Sequence, residues 1–139
     1  MALINRNGRS YDGGDVHIAM FGSIDWEATE ITYNTSQEHQ PNYALGSHKQ
    51  TSYSMGKISN EGTITLRLKS ANVIEKACGG NILAVKPFPI NVTFFNEDNT
   101  LINDTILAKF QDTGRDVSGE MDIKKQYKLF ILDVDYNNV

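Results

Sequence analysis

The sequence predicts a mainly β domain: a two-sheet β-sandwich or barrel with one short flanking α-helix and a long extended loop. Three observations predict this class. Apolar and polar residues alternate in most segments, turn-forming residues separate those segments, and one short segment has helical spacing. A chain of 139 residues usually holds a single core, so we interpret residues 1–139 as one domain.

The first half of the chain predicts four strands. The first covers Val16 to Phe21 and follows the turn-forming run Asp12-Gly13-Gly14-Asp15. In the second, Ile24 to Thr35, the apolar residues change side after Ala28, which indicates a bulge or a strand that passes from one packing partner to another. Thr51 to Lys57 predicts a third strand, and a turn at residues 59–62 leads into the fourth, Thr63 to Lys69, which alternates most regularly.

The second half predicts a helix, a hairpin and a last strand. Ser70 resembles an N-cap, apolar residues recur at helical spacing over about 71–79, and Gly79-Gly80 would end the helix. Ile90 to Phe95 and Leu101 to Gln111 flank the turn sequence Asn96-Glu97-Asp98-Asn99 and predict a hairpin. Gln126 to Asp135 is apolar on both sides, which favours a central strand.

Residues 34–52 predict a long polar connection because they contain Pro41 and Gly46 and show little periodicity. Unstructured loops of this length are usually functional or disordered. The apolar trio Tyr43, Ala44 and Leu45 lies in the middle of the loop. We therefore expect this loop to bury its apolar tip against another surface.

Composition disfavours several classes of protein. The formal net charge is −4 and neither half of the chain is basic, whereas duplex binding by phosphate neutralisation needs clustered cations. No apolar run is long enough to cross a bilayer, and residues 1–9 lack the apolar segment of a secretory signal. The single cysteine, Cys78, cannot form an intramolecular disulfide.

The residues that could carry chemistry do not form a recognisable motif. His17 is expected at an exposed or edge position of a strand, and His39 and His48 lie in the long loop, where no helix could pair them on a metal. Asp133 and Asp135 share one side of the last strand, but no third polar group accompanies them. Cys78 fits the apolar stripe of the helix. We therefore expect no catalytic residue, no metal site and no cofactor.

The order and spacing of several segments resemble phage tail tube proteins over about residues 15–136. The segments are Ile24-Asp25-Trp26-Glu27-Ala28-Thr29-Glu30-Ile31, Asn42-Tyr43-Ala44-Leu45-Gly46, Gly56 leading into Glu61-Gly62-Thr63-Ile64-Thr65-Leu66, the helix that follows, and Pro87-Phe88-Pro89-Ile90-Asn91-Val92. The resemblance implies a structural virion protein of the phage tail. Such chains form rings, generally hexameric, and the rings stack head to tail into a tube.

The resemblance also implies roles for individual residues. The long loop would be an arm that reaches a neighbouring subunit, with contact residues Tyr33, Pro41, Asn42, Tyr43, Ala44, Leu45 and Gly46. The channel would pass DNA without binding it specifically, and its candidate lining residues are Glu27, Thr29, Thr63, Thr65, Asn91, Thr93 and Asp104. The partners implied are copies of the same chain, together with tail sheath, baseplate and tail terminator proteins, and no membrane.

Three other classes stay open. One is an enzyme, whose simplest form would be excluded if mutation of His17, His39 and His48 caused no loss of activity. Tube proteins of bacterial contractile injection or secretion systems share this architecture. Alternatively, the chain is a monomeric β-sandwich that binds carbohydrate or a small ligand through an aromatic row of Trp26, Tyr33, Tyr43 and Tyr53. The mass of the particle in solution distinguishes a tube from a monomeric binder.

Overall fold

A computed structural model describes residues 9–23, 26–119 and 121–138. In these residues the chain forms six strands and one α-helix: β1 Val16–Met20, β2 Ala28–Tyr43, β3 Gln50–Arg67, α1 Leu68–Ala77, β4 Phe88–Asn96, β5 Asn99–Phe110 and β6 Lys124–Asp135. The predicted mainly β class is confirmed. The strands form a single antiparallel sheet in the order β1-β4-β5-β6-β3-β2, where two sheets were expected.

The sheet is curled, which explains how one sheet encloses a core. Its edge strands, β1 and β2, would lie about 24 Å apart in a flat sheet of six strands. However, the Trp26 indole N–H, just before β2, donates to the carbonyl of Met20 at the end of β1, at 2.9 Å. The Tyr33 hydroxyl of β2 likewise donates to Asp104 of β5, although β3 and β6 lie between β2 and β5 in the sheet.

The core lies on the concave side of this sheet. Alternate residues of the central strands are buried, as in Ile64 and Leu66 of β3 or Ile106 and Ala108 of β5. Helix α1 covers one end of the core with Ala71 and Ile74. β6 is central, as predicted, but only one of its sides is buried. Its other side exposes Phe130 and Leu132, so the sequence pattern overstated the burial of this strand.

The helix differs slightly from the predicted one. It begins at Leu68 directly after β3, and Arg67 is its N-cap. Ser70 lies inside the first turn, where its hydroxyl accepts a hydrogen bond from the Glu27 amide at 2.8 Å. Both glycines of the predicted C-terminal Gly79-Gly80 have positive φ and donate to carbonyls of the last turn. In the described part of the chain, no helix is long and apolar enough to span a membrane.

Several predicted strands agree with the structure. The hairpin of β4 and β5 turns at residues 96–99, and a register shift between Ala28 and Glu30 confirms the predicted bulge. Ile24, the predicted start of the second strand, lies outside the described residues. The turn predicted at residues 59–62 is wrong, because β3 runs through it without interruption. The loop predicted at residues 34–52 is also wrong, because most of it is strand.

Candidate assembly surface

The longest hairpin of the structure extends beyond the sheet as a two-stranded arm. β3 pairs with β6 from Gly62 to Arg67, whereas the pairing of β2 with β3 continues from Asn34–Glu61 to Tyr43–Gln50. We define residues 34–61 as the arm. Ten residues of β2 span about 30 Å at the rise of a strand, so the tip of the arm lies far from the core.

The root of the arm is held by a close approach at Gly62. A Cβ atom at this position would lie 2.6 Å from the Thr32 carbonyl oxygen and 2.7 Å from Cδ1 of Ile131. Both distances are below 3.0 Å, and Cβ atoms in proteins essentially never approach another non-bonded heavy atom so closely. Glycine therefore lets β2 and β6 approach on either side of β3 where the arm leaves the sheet.

Tyr33 fixes the same root from the side of β2. Its hydroxyl donates to Asp104, and burial, followed by this hydrogen bond, raises the pKa of the Tyr33 phenol. Asp104 also accepts from the Asn137 amide at 2.8 Å, and the hydroxyls of Thr35 and Tyr136 lie 2.9 Å apart. The arm is thus anchored to β5 and to the segment that follows β6.

The two faces of the arm differ in chemistry. Directly paired residues share a face, and the register pairs His39 with Met55, Pro41 with Tyr53, and Gln37 with Ile58. We define the apolar face of the arm by six residues, His39, Pro41, Tyr43, Tyr53, Met55 and Ile58; the polar Gln37 and Gln50 lie on the same side. It continues the core-facing side of the sheet, because Ile31 and Tyr33 precede it at alternate positions of β2.

The opposite face of the arm is polar. It consists of Ser36, Glu38, Gln40, Asn42, Ser52, Ser54 and Ser59. Side-chain hydrogen bonds run across it, such as that from Asn42 to Ser54 at 2.9 Å. Every residue from 48 to 59 is exposed, so the apolar face has the same exposure as the polar one.

The tip of the arm, residues 44–49, is an ordered turn. The Ser47 amide donates to the Ala44 carbonyl at 3.1 Å, and the Ser47 hydroxyl donates to the Lys49 carbonyl at 2.9 Å. Gly46 has a φ of 79°, a conformation that favours glycine. Leu45 is 105% exposed, and Tyr43 beside it is also exposed. The tip therefore presents a preformed apolar projection.

An apolar cavity of about 590 Å³ lies at the other end of the β2–β3 ribbon. One wall is formed by α1 and the residue that follows it, and the other by residues near the β1–β2 connection. Its apolar lining residues are Phe21, Trp26, Val73, Ile74, Ala77, Cys78 and Val85. Glu27 and Lys69 also line it, and we place them at its rim because both are exposed. Val73 is exposed although it is apolar, so this surface is open to a partner.

The predicted channel-lining residues do not share one face of the sheet. Thr63, Thr65, Asn91 and Thr93 lie on the convex side, although Thr65 is buried. Glu27 is at the cavity rim, and Thr29 is exposed at the bulge of β2. The assignment of Asp104 needs correction: this residue shares the buried side of β5 with Ile106 and is itself buried, so it does not line an open surface.

The convex side of the sheet combines neutral and charged parts. The Thr63 hydroxyl bonds to Thr32 at 2.8 Å, and Asn91 accepts from Thr105 at 2.8 Å. These bonds satisfy the polar groups within the sheet. In contrast, Lys128 is exposed on β6, close to the apolar Phe130.

Helix α1 is tied to the loop before β6 by an ion pair. Both terminal guanidinium nitrogens of Arg115, Nη1 and Nη2, donate to the carboxylate of Glu75. Through this hydrogen bond, Arg115 holds the pKa of the Glu75 carboxyl below its ordinary value. Burial raises the pKa of the Tyr127 phenol nearby. Among the described residues, the Tyr127 hydroxyl has no hydrogen-bond partner.

The residues considered for chemistry are dispersed. His17 is exposed on the edge strand β1, and His39 and His48 are exposed on the arm. Asp133 and Asp135 are exposed at the end of β6. Residues 9–23, 26–119 and 121–138 contain no group of three or more side chains that could hold a metal ion.

The sequence located the apolar tip of the arm but not the cavity. Tyr43, Ala44 and Leu45 are at the end of the arm, and Tyr33 and Pro41 are on its core-facing side. The cavity could not be inferred because its walls come from segments separated by about fifty positions, from Phe21 to Val73. Its only sequence signal is the apolar residue Val73 on the outer side of the predicted helix.

No family model matches the chain, and a search of curated proteins gives no match.

Proposed function

We propose that this chain is a structural protein that assembles with copies of itself into rings, which stack into a tube of the kind found in phage tails. The observation that carries the proposal is the arm, a two-stranded ribbon with one exposed apolar face. Isolated two-stranded hairpins are only marginally stable in water. A second copy that covers the apolar face would supply the missing contacts.

The surface area supports association. The chain exposes 9838 Å², whereas a compact monomer of this length exposes about 7,200 Å². The difference exceeds the surface buried in a standard protein–protein interface, about 1,600 Å². A large exposed surface with ordered apolar parts is typical of a subunit that is stable in an assembly.

The free strand edges support the same conclusion. β2 is an edge strand along all its 16 residues, and β1 is the other edge. Unpaired edges of this length promote pairing with another chain. In a ring, an edge of one subunit would meet a neighbour, and closure of the ring would leave no edge exposed.

The proposed channel would pass DNA without retaining it. Asn91, Thr93 and Thr105 form the neutral, internally hydrogen-bonded part of the convex side. We assign the channel wall to this part, because exposed lysines such as Lys128 would bind phosphate groups and slow the passage of DNA. The proposed function is mechanical, and the subunit would be made in the host cytoplasm and incorporated into the virion tail. Tube proteins of contractile injection systems would use the same surfaces.

A second candidate is a monomeric protein that binds a small apolar ligand. The cavity favours it, because 590 Å³ lies within the range of small-ligand sites, about 300–1,000 Å³. A carbohydrate-binding function has less support, because the aromatic residues proposed for it are far apart. Trp26 lines the cavity, Tyr33 is hydrogen-bonded to Asp104, and Tyr43 lies at the far end of the arm. These rings do not form a continuous row.

Sedimentation velocity of the purified chain over a range of concentrations tests the proposal, together with negative-stain electron microscopy. Rings or tubes that increase with concentration are expected. A single species of monomer mass at every concentration up to the solubility limit would reject self-assembly and favour the ligand-binding alternative.

A further inference from the structure

From the structure we infer where the arm binds: its tip inserts into the cavity beside α1 of the next copy. This inference rests on the proposed self-assembly and names the two surfaces that meet. The tip contributes Ala44 and Leu45, together with Tyr43 at the end of β2. The receiving surface consists of the apolar lining residues of the cavity given above.

The tip cannot enter the cavity of its own chain. Glu27 at the cavity rim and Tyr43 at the tip are separated by sixteen positions along β2 and the residues just before it. At the rise of a strand this corresponds to about 50 Å. The course of β3 also separates the tip from the cavity, because β3 begins next to the tip at Gln50 and leads directly into α1 at Leu68. The tip and the cavity therefore lie at opposite ends of one ribbon.

The chemistry of the two surfaces is complementary. Leu45 is fully exposed on a turn that its own hydrogen bonds preform, so little conformational entropy is lost when it binds. The cavity offers apolar walls and an open mouth that exposes Val73 and Phe21. Burial of an apolar side chain in such a site is favourable by about 1.5–3 kcal/mol.

Charge does not oppose a second copy as the occupant. The arm, residues 34–61, contains Lys49 and Lys57 together with Glu38 and Glu61, so its formal charge is zero and the −4 of the chain lies on the remainder. Glu27 and Lys69 both line the cavity, so Lys49 of the inserted tip can approach Glu27 without net repulsion there. The surplus surface is what favours a second copy: the 9838 Å² exposed by the chain exceeds the surface of a compact monomer, about 7,200 Å², by more than a standard interface buries, about 1,600 Å².

The geometry determines how copies would add. A tip that binds a cavity at the opposite end of the neighbour makes a heterologous contact, and each added copy presents a new free tip. Two antiparallel copies that exchanged both tips would close as a dimer, whereas copies arranged head to tail always leave one tip and one cavity free. The head-to-tail arrangement supports growth along the ribbon, which is the direction in which rings would stack, and the ladder of covalent oligomers expected below distinguishes it from a closed dimer.

Crosslinking through the native thiol tests the inference directly. Cys78 is the only cysteine of the chain and lines the cavity. A Leu45→Cys variant would carry a second thiol at the tip. Copper–phenanthroline, which oxidises two thiols to a disulfide with oxygen as the electron acceptor, is applied under conditions in which the wild type assembles. We expect a ladder of covalent oligomers on a non-reducing gel and a disulfide-linked peptide pair that joins positions 45 and 78.

A mixture of two chains identifies the direction of the contact. One chain carries Leu45→Cys together with Cys78→Ser, and the other is the wild type. Their crosslinking should stop at a covalent dimer, because each chain has one thiol. As a matched control, Val117→Cys places a thiol at an equally apolar exposed position of the loop before β6. We expect it to crosslink to Cys78 at least tenfold less than the tip thiol.

The possible failures are distinguishable. If the wild type assembles but the disulfide between 45 and 78 does not exceed the Val117→Cys control, the arm binds elsewhere and this inference is wrong. Crosslinks between two tips only, or a copurified apolar molecule in the cavity, would lead to the same conclusion. If the wild type does not assemble at all, the proposed function itself is rejected and the inference with it.

Discussion

Replacement of Leu45 by Asp tests the arm with the least effect on the fold. The side chain is fully exposed on the tip turn, so the isolated chain loses no contact, and surface substitutions of this type change stability by less than about 0.5 kcal/mol. In an assembly the tip would be buried. The variant should therefore retain the circular dichroism spectrum and melting temperature of the wild type but lose the capacity to polymerise.

The size of the effect follows from burial. Loss of a buried leucine removes about 1.5–3 kcal/mol per contact, and an unpaired carboxylate in an apolar site adds a further cost. A combined penalty of about 3 kcal/mol corresponds to a more than 100-fold higher concentration for half-maximal assembly. Sedimentation velocity over a concentration series measures this value.

Val117→Asp is the matched control for Leu45→Asp. It introduces the same charge at an exposed apolar residue that lies outside the arm and the cavity. We expect it to assemble like the wild type. If the half-maximal concentration of Leu45→Asp were within threefold of the wild type while its spectrum was unchanged, the tip would not be part of the contact.

Three further substitutions test the reasoning on stability, each by urea denaturation. Gly62→Ala should destabilise the chain by about 1–3 kcal/mol, because its Cβ would overlap the Thr32 carbonyl; equal stability would mean that the ribbon can shift there freely. Tyr127→Phe should stabilise the chain by about 1 kcal/mol, because it removes a buried hydroxyl that lacks a partner in the described structure. A loss of stability would indicate a partner for that hydroxyl. Tyr33→Phe should destabilise the chain by about 1.5 kcal/mol through loss of the bond to Asp104. Because the pKa of Tyr33 is raised above the unfolded value of 10.0, its contribution is complete below pH 10 and declines at higher pH, so the difference between variant and wild type should narrow in alkali.

The sequence predicted the elements whose apolar residues alternate without interruption. β4 and β5 were identified because Ile90 and Val92 alternate with polar residues and a four-residue turn follows. The bulge at Ala28 was visible because the apolar residues change side there. In these segments burial on one side leaves a direct trace in the sequence.

The arm was not predicted as a hairpin because a bulge disrupts its alternation. The register shifts between Gln37 and His39, where Gly56 and Lys57 together face Glu38. Met55 and Ile58 therefore lie on one face although they are separated by an odd number of positions. Both faces are also exposed, so no pattern of burial marks the strands.

Asp104 shows a different limit of sequence analysis. Its position could have been inferred, since it alternates with Ile106 and Ala108 on the buried side of β5. Its partner could not, because Tyr33 lies about seventy positions away and reaches Asp104 only in a curled sheet. A polar residue within an apolar series is more informative about a buried hydrogen bond than about a solvent-facing surface.

The arrangement of the ribbon also bears on the kind of assembly that is possible. Gly62 and Tyr33 fix the arm to the sheet at its root, and β3 leads without interruption from the tip to α1. The projection and the cavity are therefore joined by a hydrogen-bonded ribbon, with register shifts after Ala28, Gln37 and Asn42, rather than by an unpaired linker. A flexible arm would allow copies to join at many spacings, and its ordering would cost entropy at each contact. A rigid arm specifies one axial repeat, which is the property that a stacked tube requires of its subunit.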